Sequence, residues 1–155
     1  MSTPWGTIQD IEPLERGISF VYTASHGGLR ISKGYAEKYL FPETIAKAQK
    51  IGNYLYYEED CDWAVPAYEL THLYGKFFQW SKDSELKNSK KLQLLELERL
   101  VKFWNAEYAI TMGYMEEGDK FCCKQWNDCP NNGEPALAIK KDNHWVCSKC
   151  GIIIG

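Results

Sequence analysis

Cys147-Ser148-Lys149-Cys150-Gly151 sets two thiols either side of two residues. That spacing lets both thiolates face one metal ion, and the glycine permits the tight turn that follows. Seventeen residues separate Cys129 from Cys147, a distance expected between the halves of a zinc ribbon. The upstream half departs from the pattern, because in Cys129-Pro130-Asn131-Asn132-Gly133 an asparagine stands where a second knuckle cysteine would be. A fourth ligand must come from elsewhere. Cys123 and Cys122 precede Cys129 by five and six intervening residues, and since neighbours in an extended chain face opposite ways, one of the two should bind. Cys123 is preferred, giving Cys123, Cys129, Cys147 and Cys150 around one Zn2+ per chain, with Cys122 or His144 as the alternatives. Four thiolates leave no position for water, so this zinc would be structural, its binding free energy holding together a segment too short to bury a core.

Two further groups of residues could do chemistry. In Ser25-His26-Gly27-Gly28, His26 is a possible base and the glycines possible amide donors to an oxyanion. No glycine-flanked serine or other nucleophile accompanies them, so no catalytic residue is assigned, and the plainer reading is a hairpin turn with a locally bonded histidine. Glu58, Glu59, Asp60 and Asp62 place four acids in five positions beside Tyr54, Tyr56, Tyr57 and Trp63. Such a run can hold a metal with His26, supply a general acid and base, or meet a basic partner, or it is a capped helix start with a solvated face. Cys61 is read as buried and inert on the apolar face of the helix that follows.

The elements that must position these groups follow from periodicity. Ile18 to Thr23 and Leu29 to Ser32 have strand composition and read as a hairpin around the His26 turn. Lys33 to Lys50 reads as two short helices, with Pro42 in the first turn of the second. A helix after the acids is limited at its start by Pro66. From Lys90 to Ile110, Leu94, Leu97, Val101, Trp104 and Tyr108 recur every three or four residues, predicting a long amphipathic helix that Gly113 stops. Leu95, Leu100 and Phe103 widen its apolar stripe, which suits a helix laid across a sheet. The expected fold is α+β: a small antiparallel sheet packed on that helix over residues 1–116, then a zinc-ribbon-like hairpin module over 117–155.

Composition narrows the classes. The 155 residues are 45% hydrophobic and 25% charged, enough for one ordinary domain or a domain with an appendage. Eighteen Lys and Arg against twenty-one Asp and Glu leave a formal charge of -3, so no general basic surface awaits a phosphate backbone. Five of six cysteines fall in the last thirty-four residues and nothing suggests secretion, so metal explains them better than disulfides. With no long aliphatic run and no targeting segment, a cytoplasmic protein without a membrane partner is expected.

Three segments, Thr3-Pro4-Trp5-Gly6, Thr23-Ala24-Ser25-His26-Gly27-Gly28 and Tyr57-Glu58-Glu59-Asp60-Cys61-Asp62-Trp63-Ala64, together resemble the signature of an uncharacterised domain carried by bacteriophages, plasmids and other mobile elements, over roughly the first half of the chain. The resemblance implies a mobile-element context and carries no reaction over to His26 or Glu59. A small acidic zinc protein of that context is also similar in general character to phage inhibitors of host defence, including anti-CRISPR proteins. The expectation is therefore a host-protein binder, its partner a Cas9-type CRISPR effector whose basic channel an acidic surface can block, with Glu58, Glu59, Asp60 and Asp62 at the contact. The alternatives are a small hydrolase using His26 and the Glu58 to Asp62 acids, and a nucleic-acid-binding zinc ribbon. Lys120, Lys124, Lys140, Lys141 and Lys149 outnumber Asp119, Asp128, Glu134 and Asp142 by only one, and a zinc tetrathiolate reverses that balance, so direct nucleic-acid contact is not expected.

Overall fold

The computed structural model describes residues 2–123 and 135–155, which form an α+β protein with antiparallel sheets in two compact units, 1–97 and 98–155. In the first unit, β3 (Asp10–Glu15), β4 (Ile18–Tyr22), β5 (Gly27–Ser32), β6 (Gln49–Ile51) and β7 (Tyr54–Glu58) form one sheet in the order β3-β4-β5-β7-β6. Before it lies a short hairpin of β1 (Ser2–Thr3) and β2 (Gly6–Thr7).

Register explains which residues share a face. Leu29 pairs with Phe20 and Tyr57, and Ile31 pairs with Ile18 and Leu55, so these six side chains line one side of the sheet, all buried. Phe20 continues that side into an aromatic cluster, its ring centroid 6.1 Å from Trp63 and 6.3 Å from Phe77. On the other side Gly28 pairs with Val21 and Glu58.

Between β5 and β6 lie the two short helices read from the sequence, α1 (Lys33–Tyr39) and α2 (Pro42–Lys47). Ser32 caps α1 by accepting the Tyr35 N–H, and Pro42 opens α2, where its missing N–H costs nothing. After β7, residues 59–63 turn, and α3 (Ala64–Glu69) carries Pro66 in its first turn, followed by a 3-10 turn (Thr71–Leu73) and α4 (Tyr74–Phe77). Asp83 caps a separate α5 (Ser84–Asn88).

Three expectations are corrected. Gly27 and Gly28 belong to strand β5, not to the hairpin turn, which is made by residues 23–26. Cys61 precedes α3 and is half-buried in the turn, so it shares no helical face with Val65 and Tyr68. The long helix ends early: α6 spans Lys90–Trp104, the chain leaves helical geometry at Asn105 (φ -129, ψ 51), and α7 (Ala106–Thr111) restarts it. Along α6, Leu97 and Val101 are buried, whereas Leu94 and Leu95 are exposed.

In the second unit, β8 (Lys120–Cys122), β9 (Pro135–Lys141) and β10 (His144–Cys147) form a sheet in the order β10-β9-β8. Asp142 and Asn143 join β9 to β10 with φ values of 52 and 65, the double left-handed geometry of a two-residue hairpin turn that asparagine and aspartate tolerate. Within this unit Lys102 Nζ reaches Glu98 at 3.0 Å and Asp119 at 2.9 Å. No helix among the described residues is long and apolar enough to cross a membrane.

Candidate functional site

The first unit brings His26 to the acids. Thr23 shapes the turn: its backbone N–H donates to the His26 carbonyl at 2.8 Å, and its hydroxyl accepts the His26 N–H at 3.2 Å. Glu58 ends β7 opposite Gly28, two residues from His26, and the Glu59 N–H donates to the Gly27 carbonyl at 3.0 Å. His26 Nδ1 therefore lies 3.8 Å from Glu58 Oε1, and one ligand atom each from His26, Glu58 and Asp60 falls within 4.8 Å of the others. Burial, and then the Asp60 carboxyl beside it, push the Glu58 carboxyl above its ordinary range against the opposing pull of the Cys61 thiol and His26. The Cys61 thiol lies 3.7 Å from Glu58 Oε2; burial, with the charges of Asp62 and Glu58, pushes it up to about 12, so it is a poor nucleophile at neutral pH. Glu59 and Asp60 are exposed and Asp62 is half-buried.

Trp5, to which sequence reasoning gave no role beyond its motif, frames this site. Thr3 accepts the Trp5 N–H at 3.0 Å and donates to the Gly6 carbonyl at 2.9 Å, closing the β1–β2 turn. The indole then lies where a Gly28 side chain would be: a Cβ there would stand 2.5 Å from Trp5 Cη2 and clash with the Tyr57 carbonyl. Trp5 also meets Tyr56 edge to face at 5.8 Å, and its carbonyl is within reach of the Thr23 hydroxyl at 3.3 Å. The three segments that carry the resemblance thus meet at one end of one sheet.

The second unit gathers thiols. Cys123 follows β8, Cys147 ends β10, and Cys150 comes from the turn after it, held by the Gly151 N–H donating to the Cys147 carbonyl at 2.9 Å. The three Sγ atoms lie within 4.8 Å of one another, with Cys123 and Cys150 3.8 Å apart. A disulfide needs about 2.05 Å. Two thiolates bound at about 2.3 Å to a tetrahedral ion stand about 3.8 Å apart, so the spacing fits joint ligation of a metal. Burial acts to raise the Cys147 thiol, but N–H groups of Cys150 and Lys149 and the neighbouring thiols outweigh it, leaving the group below its ordinary value and disposed to ligate. Cys123, and not Cys122, is in the group; Cys122 is buried on β8, and His144 is exposed opposite Lys141 at the hairpin end. Cys129 lies outside the described residues.

One further cluster escaped sequence reasoning. Tyr35 donates to Glu15 Oε1, and His72 Nε2 lies 2.8 Å from the same oxygen. These residues are 20 and 37 positions apart and sit on β3, α1 and the 3-10 turn, so no local spacing announces them.

The model of a domain of unknown function, DUF7007, matches residues 1–108, and the chain belongs to that family. Neither a curated protein nor a solved structure matches the chain.

Proposed function

We propose that this DUF7007 protein is a mobile-element-encoded, zinc-containing protein that acts by binding another protein, with the zinc structural and the Glu58 to Asp62 turn forming the contact. The observation that carries this reading is the position of the turn: exposed Glu59 and Asp60 stand at the sheet end where the Trp5, His26 and Glu58 segments meet, and present negative charge there. A basic protein surface is the matching partner class, and the nucleic-acid channel of a Cas9-type effector in the host cytoplasm is the case to test first. In the second unit, the 3.8 Å spacing of Cys123 and Cys150 and the thiol donor set favour Zn2+, with Cys129 completing the four.

The test joins a metal assay to a binding assay. Elemental analysis should find one zinc per chain, and Glu59→Lys with Asp60→Lys should weaken binding to a purified Cas9–guide complex by at least about tenfold, or about 1.4 kcal/mol, without shifting the melting temperature. Undiminished binding by the folded double variant would overturn the contact assignment.

One observation favours a second reading, metal-assisted hydrolysis: His26, Glu58 and Asp60 offer three ligand atoms from an exposed site, which leaves coordination positions for water and substrate. His26→Ala should then abolish an Mn2+-dependent turnover while leaving stoichiometric binding intact.

A further inference from the structure

An open pocket of about 490 Å³, separate from the His26–Glu58–Asp60 group and from the thiols, lies where the β3–β4 turn meets α1, and Glu15, Arg16, Ser32, Tyr35, Lys38 and Tyr39 line it. The turn can approach the helix because residue 17 is glycine: its φ is +98, and a Cβ would stand 3.0 Å from the Tyr35 ring and 3.1 Å from Ser32 Oγ. The Ser32 N–H donates to the Gly17 carbonyl at 2.8 Å, fixing the approach. Arg16 is thereby held on the turn facing the last turn of α1, which carries Lys38 and Tyr39.

The wall has three chemistries. Arg16 and Lys38 are exposed cations, two positive charges against the one negative charge of Glu15. Tyr39 is 44% exposed and stands in a file of rings, 4.6 Å from Tyr35 and 5.6 Å from His72. Lys38 Nζ rests 5.1 Å from the Tyr39 ring centroid, so the cation and the exposed ring lie side by side on one flank of the pocket. Glu15 is pinned at one oxygen by Tyr35 and His72, which orients the carboxylate as a fixed acceptor.

We propose that this cavity binds a mononucleotide: the phosphate between Arg16 and Lys38, the base against Tyr39, and the ribose hydroxyls donating to Glu15. Each part of the ligand meets the group that recognises it, a guanidinium for phosphate, an aromatic face for the base, and a carboxylate for vicinal hydroxyls. The volume lies in the range of small-ligand sites.

Calorimetric titration of the full chain with AMP, adenosine and inorganic phosphate tests the assignment. Saturable binding of AMP is expected, with adenosine and phosphate each at least about tenfold weaker. Arg16→Ala and Tyr39→Leu should each weaken AMP by a similar factor, and because both side chains are exposed the variants should melt like the parent. No saturable AMP binding, phosphate binding as tight as AMP, or AMP affinity unchanged in either folded variant would overturn the proposal.

Discussion

At the scale of single residues, the sheet depends on places where a side chain is absent. Gly28→Ala would drive a methyl into the Tyr57 carbonyl and the Trp5 ring. A backbone oxygen in a central strand pairing cannot swing aside, so a loss of about 1–3 kcal/mol is expected in urea unfolding. Gly34→Ala, in α1 with nothing within 4 Å, should instead gain up to about 1 kcal/mol by the same measurement. Glu15 gives a pH prediction. Hydrogen bonds from Tyr35 and then His72 hold its carboxyl below the ordinary value, so the folded pKa is lower than the unfolded one. Stability from these bonds is present above the unfolded value and is lost as pH falls through the folded value, so Glu15→Gln should flatten the acid side of the stability curve, from the ordinary carboxyl range downward. What the sequence made legible at this scale was local: Cys147 and Cys150 announce themselves by spacing, and Glu58 and Asp60 by density. Glu15, Tyr35 and His72 do not, because a strand end, a helix and a 3-10 turn must all be placed before the three meet.

At the scale of elements, reading succeeded where a single physical rule decides. The β4–β5 hairpin and the Pro42 helix start both follow from strand composition and from the proline's lack of an N–H. It failed where a tertiary contact overrode the local preference. Two glycines before Leu29 look like a turn, yet they lie in β5, where Tyr22 and Glu59 leave no room for a side chain at Gly27, and Trp5 and the Tyr57 carbonyl none at Gly28. The break at Asn105 interrupts an apolar periodicity that continues through Tyr108, so periodicity alone could not show it. The caps are separable from these effects. Ser32→Ala removes the acceptor for the Tyr35 N–H and should cost about 1 kcal/mol by thermal or urea unfolding. The backbone bond from residue 32 to the Gly17 carbonyl survives this change, so AMP binding should not weaken with it.

At the scale of the whole molecule, the two units differ in what they bring together. Residues 1–97 contain a five-stranded sheet with a buried apolar face, whereas the small hairpin of the second unit gathers three thiols that could hold a metal ion. Chelation should therefore lower or abolish a thermal transition belonging to residues 98–155 and leave the transition of the sheet in place, and Cys150→Ser should act like the chelator. A single transition insensitive to chelation would count against a structural metal. The order of the five-stranded sheet has a kinetic consequence. Strands β3, β4 and β5 join through short turns, and β6 and β7 join through Gly52 and Asn53, but β5 and β7 meet only across both α1 and α2. Loop closure favours the near pairings, so on refolding two hairpin blocks should form early and their seam last. Pulse-labelled amide exchange would see this as late protection of the β7 amides facing Leu29 and Ile31. The seam is also where Gly28 faces Glu58, so the candidate site should be the last part of the sheet to assemble.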